Sequence, residues 1–161
     1  MQKQEAYLGL GSNLGDKKEN IEKACNLISS EISQIIGFSS FYQTEPWGNS
    51  DQAEYLNRVV RIFTDLEPGY LLAQLHKIED QLGRIRDEKW GARTIDIDLL
   101  YYGHFVIDRD DLIIPHPELI ERNFVLEPLT EMAPNYLHPV FQLTNRELLE
   151  FCTDTSKVSK C

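Results

Sequence analysis

Trp90-Gly91-Ala92-Arg93-Thr94-Ile95-Asp96-Ile97-Asp98-Leu99 is the stretch on which the fold of this chain turns. Apolar residues alternate with aspartates from Ile95 to Leu99, and side chains two apart on a strand share one face at about 6.6 to 6.8 Å spacing. The alternation predicts a strand over Thr94 to Tyr102, with Ile95, Ile97 and Leu99 in a core and Asp96 and Asp98 on the other face. Aspartate is a poor strand former, so two in one short strand work against local propensity, a conflict that tends to mark function. Two readings of the pair stand. It is either the solvated face of an amphipathic strand or a cation site, where hard carboxylate oxygens select Mg²⁺ or a similar ion. Arg84, Arg86 and Arg93 lie just upstream. An acidic pair for metal beside arginines for phosphate is what phosphoryl transfer requires, because that chemistry is mostly positioning and charge neutralisation.

Working outward, Ala6 to Leu10 reads as a first strand, and Asp16 caps a helix with apolar positions Ile21, Ala24, Cys25, Leu27 and Ile28. Ile35 to Tyr42 reads as a second strand. Thr44 to Glu54, rich in turn formers, is a long loop of the kind that usually serves function. Leu56 to Thr64 is a third strand. Pro68 suits the first turn of a helix running to about Leu82, with a stripe of Leu71, Leu72, Leu75, Ile78 and Leu82 and a stop at Gly83. Adding residues 94–102 makes the order strand, helix, strand, strand, helix, strand. That is an α+β, ferredoxin-like βαββαβ core, an antiparallel sheet with two helices on one face. From Val106 onward, short strands and helices surround Pro115, Pro117, Pro128, Pro134 and Pro139.

With 161 residues, 42% hydrophobic and 26% charged, the chain reads as one domain, 1–161, with a polar C-terminal tail from about residue 153. A net charge of −10 opposes nucleic-acid coating, which needs a basic face, so an anionic substrate requires a local basic cluster or metal ions. Cys25, Cys152 and Cys161 form neither a disulfide framework nor a zinc pattern, and Cys25 reads as a small core residue. The N-terminus has no apolar signal core and no long apolar run occurs, which predicts a cytoplasmic protein with no membrane contact.

Gly9-Leu10-Gly11-Ser12-Asn13-Leu14-Gly15 invites a phosphate-loop reading, but the dinucleotide pattern needs glycine where Leu14 stands, and no Gly-Lys-Ser/Thr follows. A tight turn serving the fold, with Asn13 bracing neighbouring loops, is the better reading. Trp47, Tyr55, Trp90 and Phe124 fall in or beside loops. Each alone reads as packing; together they suggest a flat apolar ligand held by stacking, with Asn57 and the Thr44 backbone as hydrogen-bonding groups. His116 sits between Pro115 and Pro117, which restrains its backbone without defining its role, and His76, His104 and His138 read as structural.

These residues together resemble the 6-hydroxymethyl-7,8-dihydropterin pyrophosphokinase family of folate biosynthesis. The likeness runs from Tyr7 to about Pro139. It rests on Gly11-Ser12-Asn13-Leu14-Gly15, Ser40 to Pro46, Tyr55-Leu56-Asn57, Ile78-Glu79 with Gly83 to Arg86, Trp90 to Leu99, and Pro115-His116-Pro117 with Arg122 and Phe124. The resemblance implies a three-layer αβα form of the fold and transfer of pyrophosphate from ATP to the pterin hydroxymethyl group, giving AMP and the pterin pyrophosphate. It implies two Mg²⁺ ions on Asp96 and Asp98, and ATP contacts from Glu79, Arg84, Trp90, Arg93, His116 and Arg122. Thr44, Pro46, Tyr55, Asn57 and Phe124 match pterin-pocket positions, with Trp47 near the ring, while Arg86 and Arg93 would close over the phosphates. A monomer with no nucleic-acid partner is expected. Trp47 is bulkier than the residue expected there, and Lys89 precedes Trp90 where some relatives have arginine. No residue is singled out as general base; a hydroxyl made more acidic by metal is preferred.

Overall fold

The computed structural model describes residues 2–44, 54–83 and 94–161. In chain order it contains β1 (Gln4–Ser12), α1 (Lys17–Glu31), β2 (Ile35–Phe38), β3 (Tyr42–Thr44), β4 (Tyr55–Thr64), α2 (Pro68–Gln81) and β5 (Asp96–Tyr102). A hairpin of β6 (Ile107–Arg109) and β7 (Leu112–Ile114) follows, then a 3-10 turn (Leu119–Glu121), α3 (Asn123–Met132), α4 (Asn145–Phe151) and β8 (Val158–Lys160).

The two early helices begin and end where local chemistry dictates. An Asp16 carboxylate oxygen accepts the Glu19 N–H at 3.1 Å, filling one of the orphan donors at the start of α1. Pro68 occupies the first turn of α2, the Glu67 carboxylate accepts the Tyr70 N–H at 3.1 Å, and Gly83 follows the helix at φ +82°, a conformation glycine adopts without steric penalty. Ile21, Ala24, Cys25 and Ile28 of α1, with Leu71, Leu75 and Ile78 of α2, are buried. Burial pushes the Cys25 thiol up to about 11, leaving it inert.

The main sheet is antiparallel throughout, in the order β5-β1-β4-β3-β8, with β2 also paired to β4. This is the ferredoxin-like order, and the sheet carries helices on both faces. Ala6, Leu8, Leu10, Ile97 and Leu99 pack with α1 and α2 in one core; Tyr7, Val59, Leu100 and Tyr101 pack with Leu119, Val125, Leu126, Leu129 and Leu148 in the other. The β1–β5 register passes from Tyr7 opposite Tyr101 to Leu8 opposite Leu99. Leu100 is the extra residue of this bulge, so Leu100 and Tyr101 enter the same core although adjacent in sequence.

One expectation changes, and two features go beyond the sequence. The second strand is two strands, because Ser39 interrupts the ladder: its hydroxyl accepts the Val59 N–H at 2.9 Å, and Arg58 donates to its carbonyl. Pro128 lies inside α3, where the buried apolar face of Val125, Leu126 and Leu129 compensates the ladder hydrogen bond that proline cannot donate. The polar tail also ends in β8, paired with β3.

Candidate active site

β5 divides the molecule's packing from its chemistry. Ile97 and Leu99 point into the α1/α2 core, and Asp96 and Asp98 point to the opposite face, as the alternation requires. On β1, Leu8 and Leu10 share the core with them, so Gly9 and Gly11 fall on the acidic face. Gly11 pairs with Asp96 on one side and Asn57 on the other, and Gly9 pairs with Asp98. A strip of bare backbone therefore separates the acidic pair from Asn57. The strip is required: a Cβ on Gly11 would stand 2.7 Å from Asn57 Oδ1, closer than real Cβ contacts allow.

Asp98 is the point of convergence. His116 Nε2 lies 3.8 Å from Oδ1 and Arg122 Nη1 lies 3.8 Å from Oδ2. His116 is anchored to β5 by its N–H donating to the Leu100 carbonyl at 3.0 Å. The Glu118 N–H donates to His116 Nδ1 at 3.2 Å, so a neutral ring carries its proton on Nε2, the nitrogen nearer Asp98. Glu118 also pairs through its carboxylate with Arg122, four residues on. Although 39% of the Asp98 side chain remains exposed, its carboxylate is hemmed in by Asp96, His116, Arg122 and Glu118. Burial raises its pKa above the ordinary aspartate range; His116 and Arg122 pull it down, and Asp96 and Glu118 push it up. The position is short of positive charge when both aspartates are ionised.

The second cluster lies across the glycine strip. Asn57 is buried and its Nδ2 donates to Thr44 Oγ1 at 3.2 Å, across the β3–β4 pairing. Thr44 is buried as well, and Tyr55, its ladder partner, is half-buried. Phe124 is a half-buried residue of the first turn of α3, a helix that packs on β3 and β4, and the Arg122 guanidinium stands 5.5 Å from its ring centroid. Arg122 thus links the acidic cluster to the aromatic one.

Glu79 is placed differently from the other residues singled out in the sequence. It is buried on α2, and its Oε2 accepts the Ile97 N–H at 2.7 Å, holding the backbone between the two aspartates. Pro46, Trp47, Arg84, Arg86, Trp90 and Arg93 lie outside the described residues. Glu118, which orients both His116 and Arg122, was missed by the sequence reading; its i,i+4 spacing to Arg122 was the available signal.

Among the described residues, no group of three or more His, Cys, Asp or Glu is gathered to hold an ion. Two carboxylates alone suit Mg²⁺, which keeps several waters and is usually held by one or two carboxylates together with substrate phosphates. The donor set and the excess of negative charge at Asp98 therefore fit that ion.

A family model described as 7,8-dihydro-6-hydroxymethylpterin-pyrophosphokinase (HPPK) matches residues 7–134. The chain is 40% identical over 147 residues to the 2-amino-4-hydroxy-6-hydroxymethyldihydropteridine pyrophosphokinase of Haemophilus influenzae, covering 91% of this chain and 92% of that protein. It is 43% identical over 129 residues to the protein of the same name from Bacillus subtilis, covering 80% of this chain and 77% of that one. Among solved structures, a variant of Plasmodium falciparum HPPK-DHPS with pterin and p-hydroxybenzoate matches with a TM-score of 0.76 at 18% identity. That match covers 92% of this chain and 43% of the other, and shows the shared fold. On the family match and the identity to full-length relatives, the chain belongs to the 7,8-dihydro-6-hydroxymethylpterin-pyrophosphokinase family.

Proposed function

We propose that the acidic face of β5 and the cluster across the glycine strip are the two halves of one active site. The reaction is that of the family: pyrophosphate passes from ATP to the hydroxymethyl group of 6-hydroxymethyl-7,8-dihydropterin in folate biosynthesis. The pterin hydroxyl oxygen releases its proton to solvent and forms a bond to the β-phosphorus, the bond from that phosphorus to the α-phosphate oxygen breaks, and AMP leaves. The observation that carries the site assignment is the convergence of His116 and Arg122 on Asp98, one strand away from the bare Gly9–Gly11 backbone.

Asp96 and Asp98 would hold two Mg²⁺ ions. Ions held there would supply neutralisation of the negative charge that the phosphates bring. The protein's own groups supply placement. Arg122 and the Nε2–H of His116 orient phosphate oxygens beside Asp98, with Glu118 fixing both. Asn57 and Thr44 offer polar groups to the edge of the pterin ring, and Tyr55 and Phe124 offer aromatic faces. Glu79 keeps the Asp-Ile-Asp backbone in register. Pro46 and Trp47 complete the pterin side, and Arg84, Trp90, Arg86 and Arg93 the ATP side, with Arg86 and Arg93 closing over the phosphates. A monomeric enzyme belongs to the same proposal. Among the described residues no helix is long and apolar enough to cross a membrane, and a cytoplasmic location belongs to the same proposal.

Asn57→Ala tests the division of the site. Pterin binding should weaken by roughly 1 to 3 kcal/mol, the range for an unpaired buried polar group, with ATP affinity nearly unchanged. Equal losses for both ligands in a binding titration would make Asn57 a structural residue and remove the pterin side from the proposal.

A further inference from the structure

The segment after α4 lies beyond residues 7–134, and no step of the reaction calls on it. It is nevertheless tied to both walls of the pterin side. α3 begins without a side-chain cap of its own, since Arg122 stands at the capping position and makes no such bond. Asp154 supplies the missing acceptor from 31 residues downstream: its Oδ2 accepts the Asn123 N–H at 3.0 Å. Asn123 returns the contact, its Nδ2 donating to the Asp154 carbonyl at 2.5 Å, and the other Asp154 oxygen accepts the Ser156 N–H at 2.9 Å. A carboxylate at this end of a helix also faces the positive end of its dipole.

Four residues later the same segment reaches the opposite wall. Val158 pairs with Thr44 and Lys160 with Tyr42, and Lys160 Nζ lies 2.9 Å from Glu131 Oε2 near the end of α3. Glu131 in turn accepts from the Ser40 N–H and hydroxyl, both at 2.7 Å, just ahead of β3. One short segment thus spans from the residue before Phe124 to the strand that carries Thr44.

We infer that Asp154 is a positioning residue for the pterin side: by capping α3 at Asn123 while β8 is fastened to β3, it sets the distance between the Phe124 wall and the Thr44–Asn57 wall. The Arg122 carbonyl also belongs to the start of α3, but its guanidinium is held by Glu118 and Asp98, so the ATP side should respond less to this cap than the pterin side. The inference rests on the proposed pterin side, and its test separates the two. Pterin and ATP affinities are measured by titration in the presence of Mg²⁺ for Asp154→Ala, Asp154→Asn and Asn57→Ala, with thermal unfolding of each. Asp154→Ala should weaken pterin binding roughly five- to tenfold, the scale of a lost helix cap, and leave ATP within about twofold. Asp154→Asn keeps one acceptor for the Asn123 N–H and should recover part of the loss; being the milder change, it carries the test if the alanine variant does not fold. Asn57→Ala should weaken pterin binding whatever the tail does. Unchanged pterin affinity in both Asp154 variants, beside a weakened Asn57→Ala, would overturn the inference and leave the pocket standing. Equal weakening of both ligands with a lowered melting temperature would also overturn it, by making the segment a general stabiliser. If Asn57→Ala binds pterin normally, the pocket reading fails first and the inference with it.

Discussion

The two faces of β5 and β1 share one backbone and one register, yet they have opposite chemistry. Toward α1 and α2, Leu8, Leu10, Ile97 and Leu99 close into a core from which water is excluded. Toward α3, the intervening residues are Gly9, Gly11, Asp96 and Asp98, and two side chains are missing where two charges are present. The period of two makes this division possible: each residue added to one face adds its neighbour to the other, so a site can be built without altering the core. The apolar face stabilises the strand that propensity disfavours, and the second face carries the glycines and aspartates on which the proposed site is built.

The comparison is broken most severely by removing the charges. If the proposed metal site is right, Asp96→Ala and Asp98→Ala should each lower kcat/KM by ~1000-fold or more, the several kcal/mol that charge neutralisation by a bound ion would supply, while the melting temperature stays near that of the unaltered protein. Near-normal turnover in either variant, measured by AMP formation, would remove that aspartate from the chemistry. The opposite face should behave in reverse. Leu75→Ala, fully buried in the α1/α2 core, should cost about 2 to 5 kcal/mol in denaturant unfolding while the folded fraction keeps its turnover.

The glycine strip allows a finer test. Gly11→Ala pushes a Cβ against Asn57 Oδ1 and should weaken pterin binding by roughly 1 to 3 kcal/mol, since the displaced amide loses its Thr44 contact. On an Asn57→Ala background the same change should cost much less. A double-mutant cycle reads this coupling directly, and additive losses would show that Gly11 is needed for another reason.

The smallest effect is a pH dependence. Burial by itself would raise the Asp154 carboxyl, but the Ser156 and Asn123 N–H groups outweigh it and hold the pKa below the ordinary aspartate value. A carboxyl whose pKa is lower folded than unfolded stabilises the fold above its unfolded pKa, and that contribution fades as pH falls through the folded value. The melting-temperature gap between the unaltered protein and Asp154→Asn should therefore be full at neutral pH and close in strong acid. A gap that persists unchanged into acid would mean that the carboxylate charge is not what caps α3.

How much of this was legible depends on how local each signal is. The Ile95-to-Leu99 alternation, the Asp16 cap and the Pro68–Gly83 bounds of α2 are decided within a few residues, by strand period, by orphan N–H groups and by the backbone limits of proline and glycine. These signals were enough for the βαββαβ order and for placing Asp96 and Asp98 on one face. The break at Ser39 was not legible, because it depends on a hydroxyl meeting Val59 from another strand. Nor was the structural use of Glu79, whose 3.6-residue phase marks only the buried face of α2 and not the Ile97 N–H it meets there.

The sequence by itself determined the element order, the two-faced strand and the residue types available for metal and phosphate, since each follows from short-range periodicity and donor chemistry. Only the tertiary structure decided which distant groups meet: Gly11 between Asp96 and Asn57, His116 and Arg122 on Asp98, Asp154 at the head of α3. The reason is that strand register and long-range hydrogen bonds arise from the mutual fit of whole packed elements. The bulge at Leu100 is one such fit, and it changes which face every later residue of β5 occupies.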